Sequence, residues 1–137
     1  MDKQVNSPFK LRYMTSYAFI NDILHVSIEG PATIYDLYDF LDELGTLHSL
    51  PEHLKVFYDL RKASIDLRLD EINILSKRAE EKTLHCKSVK TAFCVQDPKI
   101  TAYTMLFSWL PDNSKIRRRQ FSTKKAAFEW LNADYIM

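Results

Sequence analysis

The chain has 137 residues, of which 46% are hydrophobic and 27% charged, and its formal net charge is +1. This length suits one domain with its own core, and the composition excludes disordered, collagen-like and disulfide-scaffold proteins. The chain has only two glycines, Gly30 and Gly45. Because a dinucleotide fingerprint needs three glycines and a phosphate-binding P-loop needs two in one loop, both are excluded. We predict a single domain over residues 1–137, with residues 1–10 as a flexible tail.

Targeting signals and cysteine usage predict the compartment. The N-terminus has no apolar stretch of signal-peptide length, and no window approaches the roughly 20 apolar residues of a membrane helix. Cys86 and Cys94 have the spacing of neither a zinc site nor a redox CxxC pair, and two unpaired thiols suit a reducing compartment. We therefore expect a cytoplasmic protein with no membrane span and no cofactor.

Two segments near the N-terminus predict a β-hairpin. Leu11–Phe19 and Ile23–Glu29 are rich in β-branched and aromatic residues, which favours strands. The Asn21-Asp22 pair between them is typical of a tight turn, although the glycine preferred in such turns is missing. Gly30 and the proline after it are expected to end the second strand.

The segment Ile34–Leu44 predicts the best-specified helix of the chain. Its apolar residues recur three and four positions apart and form one stripe. Thr33 and Asp36 have the spacing of a capping box, and Gly45 stands where a C-terminal cap is expected. We expect the acidic residues of this helix largely on its solvent side, namely Asp36, Asp39, Asp42 and Glu43.

Two near-continuous apolar runs, Leu54–Leu60 and Thr91–Gln96, are typical of strands buried on both faces. Between them, Leu69–Leu84 has apolar residues at helical spacing, with Asp66 as the candidate N-cap. Asp97 followed by a proline predicts the start of the next helix, because Asp caps free N–H groups and Pro fits the first turn.

The C-terminal part predicts that this helix ends at Pro111 and is followed by a strand over Ile116–Phe121. Three arginines in the middle of that strand are typical of an edge strand. Ser122 or Thr123 is expected to cap a final helix. The order ββαβαβαβα predicts an α/β fold with a mixed, mostly parallel sheet and helices packed against both faces.

Four segments in this order resemble the STAS-like fold of anti-sigma-factor antagonists. They are IEGPATIYDLYDFLDEL, VFYDLRKASI followed by LDEI, TAFCV entering DPKITAYTMLF, and RRRQFSTKKAAFEWL. The likeness extends from about Tyr13 to Leu131. Within this fold, the chain more specifically resembles the small bacterial STAS-like proteins that are grouped with the CRAL-TRIO lipid-binding fold. It implies a binding or regulatory module, of uncharacterised function, that acts through a protein partner or a small ligand.

The chain departs from the antagonists at their regulatory serine. In those proteins a phosphorylated serine stands at the N-terminus of the second helix, at a set spacing after the aspartate that ends the preceding strand. Counting from Asp59 puts Arg68 at that position, with Ser64 four residues earlier. The phosphorylation switch is therefore not transferred to this protein.

The predicted parallel sheet also predicts where a site would lie. Ligands bind outside the carboxyl ends of parallel strands, where helix N-termini offer unpaired N–H groups and partial positive charge. The charged and polar residues at this edge either bind an anion or an acidic partner or, more commonly, pair with one another and cap helices. Glu29, Arg61 and Asp97 are expected to share one rim. The full candidate set is Glu29, Gly30, Asp59, Arg61, Lys62, Ser64, Asp66, Arg68, Gln96 and Asp97.

Catalysis would have to use Asp59, Asp66 or Asp97 at this edge. Burial at the end of an apolar strand would raise the pKa of Asp59 and make it a general base. The more common alternative is a carboxylate that accepts hydrogen bonds from Arg61 or from the backbone. Since the sequence contains no complete triad, metal set or phosphate loop, we predict a non-enzymatic protein.

Metal and nucleic-acid binding are disfavoured by spacing. His48 and His53 share a loop, but they lack helical ligand spacing and no Cys or carboxylate completes the set. The basic segment Lys115–Lys125 resembles a phosphate-binding patch, with Phe121 to stack a base. A strand alternates its faces, however, and this divides the three arginines between them.

The last two helices are rich in large side chains, namely Met105, Phe107, Trp109 and Trp130. The core is their favoured location, and a homodimer face or a lipid-sized pocket is the alternative. We predict a binding or regulatory module that acts through a protein partner or a small anionic or apolar ligand at the strand ends. A small apolar-ligand or lipid carrier, and an enzyme with a strand-end aspartate, are the alternatives.

Overall fold

The computed structural model describes residues 9–10, 15–47, 49–110 and 115–133. The strands are β1 (Phe9–Lys10), β2 (Thr15–Ile20), β3 (Ile23–Ala32), β4 (His53–Ile65), β5 (Ser88–Cys94) and β6 (Ile116–Phe121). The helices are α1 (Ile34–Gly45), α2 (Leu69–Lys82), α3 (Pro98–Trp109) and α4 (Lys124–Asn132).

All six strands belong to one mixed sheet in the order β1-β2-β3-β4-β5-β6. The first three strands pair antiparallel, and β3 to β6 pair parallel with a helix in each crossover. This confirms the predicted α/β class, and β6 is an edge strand as its arginines indicate. Strand β1 was not predicted, because its two residues fall in the predicted tail. Residues 1–8 of that tail and residues 11–14 of the predicted first strand lie outside the described residues.

The turn between β2 and β3 has the backbone that its sequence predicts. Asn21 and Asp22 have φ values of 51° and 67°, and Ile20 pairs directly with Ile23. A two-residue turn with left-handed backbone at both positions matches the twist of the flanking strands. Asn and Asp tolerate this backbone better than other non-glycine residues, and they replace the missing glycine here.

Both β3 and β4 are longer than predicted. β3 continues through Gly30 to Ala32, and β4 continues past Leu60 to Ile65, where the two strands stay paired. A register shift and the left-handed backbone of Gly30 (φ 73°) accommodate the extra length. The residues from Arg61 to Ile65 therefore belong to a strand, which the sequence predicted to end at Leu60.

The helices divide between the two faces of the sheet. Val56 and Tyr58 of β4 pack in the clusters beneath α1, α2 and α3, whereas Phe57 packs with Leu131 of α4. Since neighbouring strand residues point to opposite faces, three helices cover one face and α4 covers the other. The sheet thus separates α3 from α4. The large side chains of α3 and Trp130 of α4 therefore do not form one continuous apolar surface.

Three helix starts follow the predicted capping chemistry. Thr33 N donates to Asp36 Oδ2 (2.8 Å) and Asp36 N donates to Thr33 Oγ1 (3.3 Å), which completes the capping box of α1. Asp97 Oδ2 accepts from the N–H groups of Lys99 (3.0 Å) and Ile100 (3.1 Å). Thr123, one of the two expected residues, caps α4.

Three expectations on α1 and α2 were wrong. Arg68 is the N-cap of α2, because Asp66 pairs instead with Lys99. Asp36 is buried, since its carboxylate turns back to the capping box. Gly45 is the last residue of α1 and not its cap; a Cβ there would lie 2.7 Å from Lys82 Cδ, so the glycine permits close approach to α2. The predicted α3 stop at Pro111 lies outside the described residues.

Replacing Asp22 with glycine should stabilise the protein. Glycine adopts the left-handed backbone at this turn position without the steric cost that a side chain imposes. We expect D22G to raise the free energy of unfolding by about 0.5 kcal/mol and D22A to lower it by a similar amount. Urea denaturation of both variants tests this, and equal stability of D22G and D22A would contradict the assignment of the turn.

Candidate functional site

An open depression of about 300 Å³ lies where β5 ends and β3 and β4 continue past it. We call it the edge depression. Parallel pairing brings the ends of β3 and β4 side by side, and Gln96 follows β5 directly. The residues that line it are Ser27, Ile28, Glu29, Asp59, Arg61, Lys62 and Gln96, of which five belong to the predicted candidate set.

Asp59 and Arg61 form a two-point ion pair in this depression. Asp59 Oδ1 accepts from Arg61 Nε (3.0 Å) and from its backbone N (3.2 Å), and Oδ2 accepts from Nη2 (2.9 Å). These hydrogen bonds lower the pKa of Asp59, and they outweigh the burial that acts in the opposite direction. This confirms the favoured prediction, a carboxylate that accepts hydrogen bonds from Arg61, over the alternative of a general base with a raised pKa. Asp59 is an ionised ion-pair partner and a weaker base than an ordinary aspartate.

The other candidate residues lie outside the edge depression and have local roles. The Asp66 carboxylate accepts from the Lys99 ammonium, and Asp97 caps α3. Arg68, the residue at the expected serine position, pairs with Asp70 (3.0 Å) at the exposed start of α2. Glu29 and Arg61 share the depression, but the Asp97 carboxylate points to N–H groups of its own helix.

Gly30 and Ser64 lie beyond the depression on the extension of β3 and β4. Gly30 pairs with Ala63, and Ser64 is exposed opposite Pro31. Sequence reasoning grouped them with the site because both were expected in loops at the strand ends. The two strands instead carry them past the end of β5, whose pairing with β4 stops at Cys94.

A second site, which the sequence did not predict, lies inside the protein. An apolar cavity of about 120 Å³ separates the sheet from α1, α2 and α3. We call it the inner cavity. Leu, Ile, Val and Phe side chains make most of its wall, and Tyr58, Thr91, Thr104 and Arg118 are among its few polar residues. The sequence contains one indication of this site. Arg118 stands two positions after the core residue Ile116 on β6, so the two side chains point to the same face of the sheet.

Tyr58 and Arg118 give the inner cavity its electrostatic character. Burial raises the pKa of Tyr58 to about 12, although the Arg118 cation acts in the opposite direction. The Tyr58 hydroxyl is therefore protonated at neutral pH. Arg118 also lies over the ring of Phe107, with Cζ 5.8 Å from the centroid. A hydroxyl and a cation thus belong to a wall that is mostly apolar.

The arginines of β6 divide between the faces as strand alternation predicts. Arg117 and Arg119 are exposed beside the rings of Trp130 and Phe121, at 5.8 and 5.5 Å. Arg118 points to the other face and into the wall of the inner cavity. The three side chains therefore do not form one continuous cationic surface.

The histidines are dispersed. His53 Nδ1 lies 2.7 Å from Ser88 Oγ, and His25 packs against the rings of Phe57 and Phe128. His48 lies outside the described residues. Over the described ranges no group of three or more His, Cys, Asp or Glu has the arrangement of a metal site.

None of the helices described has the length and apolar character required to cross a membrane.

No protein-family model matches this chain, and no curated protein matches it. Among solved structures, it is similar to an uncharacterised protein of the DUF3478 family from Shewanella loihica PV-4, whose crystal structure has a SpoIIAA-like fold. The sequence identity is 17% and the TM-score 0.55, over 90% of this chain and 98% of that chain. The protein therefore has a SpoIIAA-like fold, which confirms the STAS-like resemblance of its sequence.

Neutralising Asp59 should destabilise the protein only above acidic pH. Because its pKa is lower in the folded than in the unfolded state, the ion pair stabilises the fold at neutral pH, and this contribution is lost as pH falls through the folded-state pKa. We expect D59N to cost about 1 kcal/mol near neutral pH and almost nothing at about pH 2. Urea denaturation across this range measures the difference.

The matched control is D42N, which removes an exposed carboxylate 3.3 Å from Lys82. Its cost should stay below about 0.5 kcal/mol near neutral pH, because exposed ion pairs are screened by solvent. A cost of D59N that persists in acid would show that the ion pair is not its cause.

Proposed function

We propose that this protein is a non-enzymatic binding and regulatory module that takes a small apolar ligand into the inner cavity. The observation that carries the proposal is the apolar space of about 120 Å³ between the sheet and three helices. Protein interiors are normally packed at crystal density, so a void of this size is unusual in a domain of 137 residues. The SpoIIAA-like fold supports a binding role, although fold alone does not define function.

Energetics also support the proposal. At about 24 cal/mol per Å³, an apolar space of about 120 Å³ that held neither ligand nor water would cost the folded state about 3 kcal/mol. An engineered apolar cavity of about 150 Å³ stays dry and binds benzene. A ligand the size of one aromatic ring or a short alkyl chain would restore the missing contacts and so stabilise the fold on binding.

The contacts of the three candidate catalytic aspartates support the proposal that the protein is not an enzyme. Asp59 is held by Arg61, Asp66 by Lys99, and Asp97 by the first turn of α3. A general base needs a free lone pair directed at substrate and a pKa near the working pH. Asp59 has the opposite shift, and the other two carboxylates are engaged in local contacts.

A cytoplasmic location is part of the same proposal. Cys86 and Cys94 are both free and buried. Burial is the main cause that raises the pKa of each thiol, which keeps them unreactive near neutral pH. Paired cysteines would be expected in a small secreted domain.

Filling the inner cavity should stabilise the protein and abolish ligand binding. Ala79 lines the cavity on α2, and leucine at this position would occupy part of the void. We expect saturating toluene to raise the Tm of the wild type and to leave that of A79L unchanged. The control is A102L, which adds the same atoms at an exposed position of α3 and should respond to toluene like the wild type.

Differential scanning calorimetry with and without toluene measures both effects. If leucine at position 79 overpacks the core and destabilises the protein, V89L at a second position in the cavity wall serves as the filling variant. Equal toluene responses in all these variants would contradict binding in the inner cavity.

A second candidate function is docking of a protein partner at the edge depression. The exposed side chains of Glu29, Lys62 and Gln96 surround the Asp59–Arg61 ion pair. This mixture of exposed charge and amide groups is typical of the polar part of a protein interface. The predicted homodimer alternative remains a prediction.

Reversing a charge in the depression tests this docking. We expect a partner captured from a lysate of the native cell by the tagged wild type to be lost with K62E, because a rim charge governs partner choice and association rate. K77E, at an exposed position of α2, should retain it. Loss with both variants, or with neither, would argue against the edge depression as the docking surface.

A further inference from the structure

We infer that the inner cavity selects an aromatic ring over an aliphatic ligand of similar size, because aromatic side chains line it on both the sheet side and the helix side. This inference rests on the proposed function and specifies its ligand class. By size alone the cavity accepts either one aromatic ring or a short alkyl chain. The rings of its wall distinguish between these two ligands.

The first observation is a row of stacked rings along the cavity. Tyr58 and Phe93 are paired residues of β4 and β5, and their ring centroids are 5.4 Å apart with 22° between the planes. Phe107 of α3 continues the row, with its centroid 6.0 Å from that of Phe93 and 28° between the planes. All three side chains line the inner cavity, so the row extends from the sheet to a helix.

The second observation is that α1 contributes a ring as well. Phe40 meets Tyr58 edge to face, with centroids 6.0 Å apart and 78° between the planes. Phe40 and Tyr103 of α3 also line the cavity. Stacked and edge-to-face contacts are the two arrangements that the quadrupole of an aromatic ring favours. A ligand ring can therefore extend this array, whereas an aliphatic ligand lacks the quadrupole.

Contacts within the protein hold these rings in place. The Tyr103 hydroxyl accepts a hydrogen bond from the backbone N–H of Leu67 (3.0 Å). The Arg118 guanidinium lies over the ring of Phe107, with Cζ 5.8 Å from the centroid. A wall that is already ordered loses little conformational entropy when a ligand binds. The array is thus preorganised for an additional ring.

Several polar groups of the wall already have hydrogen-bond partners. Thr83 Oγ1 donates to the carbonyl of Ala79 (2.7 Å), and Thr104 Oγ1 donates to that of Thr101 (2.9 Å). Together with Tyr103, three wall hydroxyls are bonded to the backbone and require no polar group on the ligand. Selectivity then depends on ring contacts, each of which strengthens association roughly twofold to tenfold beyond the area it buries.

Toluene, methylcyclohexane and n-hexane test the inference on the wild type. Toluene and methylcyclohexane share one carbon skeleton, and only toluene is aromatic, while n-hexane represents a short alkyl chain. Each probe is supplied as vapour at the same fraction of saturation, so that all three have equal thermodynamic activity. Differential scanning calorimetry converts the rise in Tm into an affinity. We expect toluene to bind at least about tenfold more tightly than either aliphatic probe.

Leucine at position 107 tests whether ring contact is the cause. F107L should weaken toluene binding about threefold to tenfold and keep methylcyclohexane binding within about twofold of the wild type. The matched control is F128L. The ring of Phe128 lies 4.8 Å from that of Phe57 on the face of the sheet that α4 covers, so F128L should keep the wild-type preference. If F107L does not fold, F93L serves as the variant in the same row.

The outcomes separate this inference from the proposed function. Reduced toluene selectivity in F107L or F93L, with selectivity kept in F128L, would support the ring array as its basis. Aliphatic probes that bind the wild type as tightly as toluene would overturn recognition of the ring and keep the apolar site. A preference for toluene that the cavity variant and F128L affect alike would do the same. Absence of binding by every probe would overturn both the inference and the proposed function.

Discussion

The structure depends on burial of both faces of β4 and β5. Leu54, Phe57 and Ala92 are at most 2% exposed, although their side chains belong to strands with two opposite faces. Each face must therefore be covered by separate helices. On one side, Ala92 and Cys94 are small enough for α4 to pack closely by itself. On the other side three helices meet larger side chains, and their packing leaves the inner cavity.

The two candidate sites differ in how their polar groups are satisfied. In the edge depression, Asp59 and Arg61 satisfy each other through charge-assisted hydrogen bonds, so this surface needs no ligand to be stable. In the inner cavity, the Tyr58 hydroxyl has no such partner within the described chain. Binding there would fill an apolar space, and for this reason we place the ligand in the inner cavity.

Part of the edge site was predictable because parallel strands end together. Glu29, Arg61 and Gln96 converge as the sequence indicates, although Glu29 and Arg61 lie within β3 and β4 and only Gln96 follows its strand. Asp66 pairs instead with Lys99, and Asp97 caps the first turn of α3. Residue spacing alone does not tell whether a carboxylate will bind such a local partner or join a shared site. The ion pair of Asp59 was predictable because Arg61 is only two positions away in the chain, and its hydrogen bonds outweigh the effect of burial on the pKa of Asp59.

The sequence by itself determined the order of the helices and of strands β2 to β6, the turn at Asn21, and the caps at Thr33 and Asp97. These features depend on hydrogen bonds and backbone preferences within a few residues. Only the tertiary structure decided the length of the β3–β4 pair, the separation of α3 from α4, and the inner cavity. Those features depend on how well distant side chains fill space, because residues far apart in the chain share one volume.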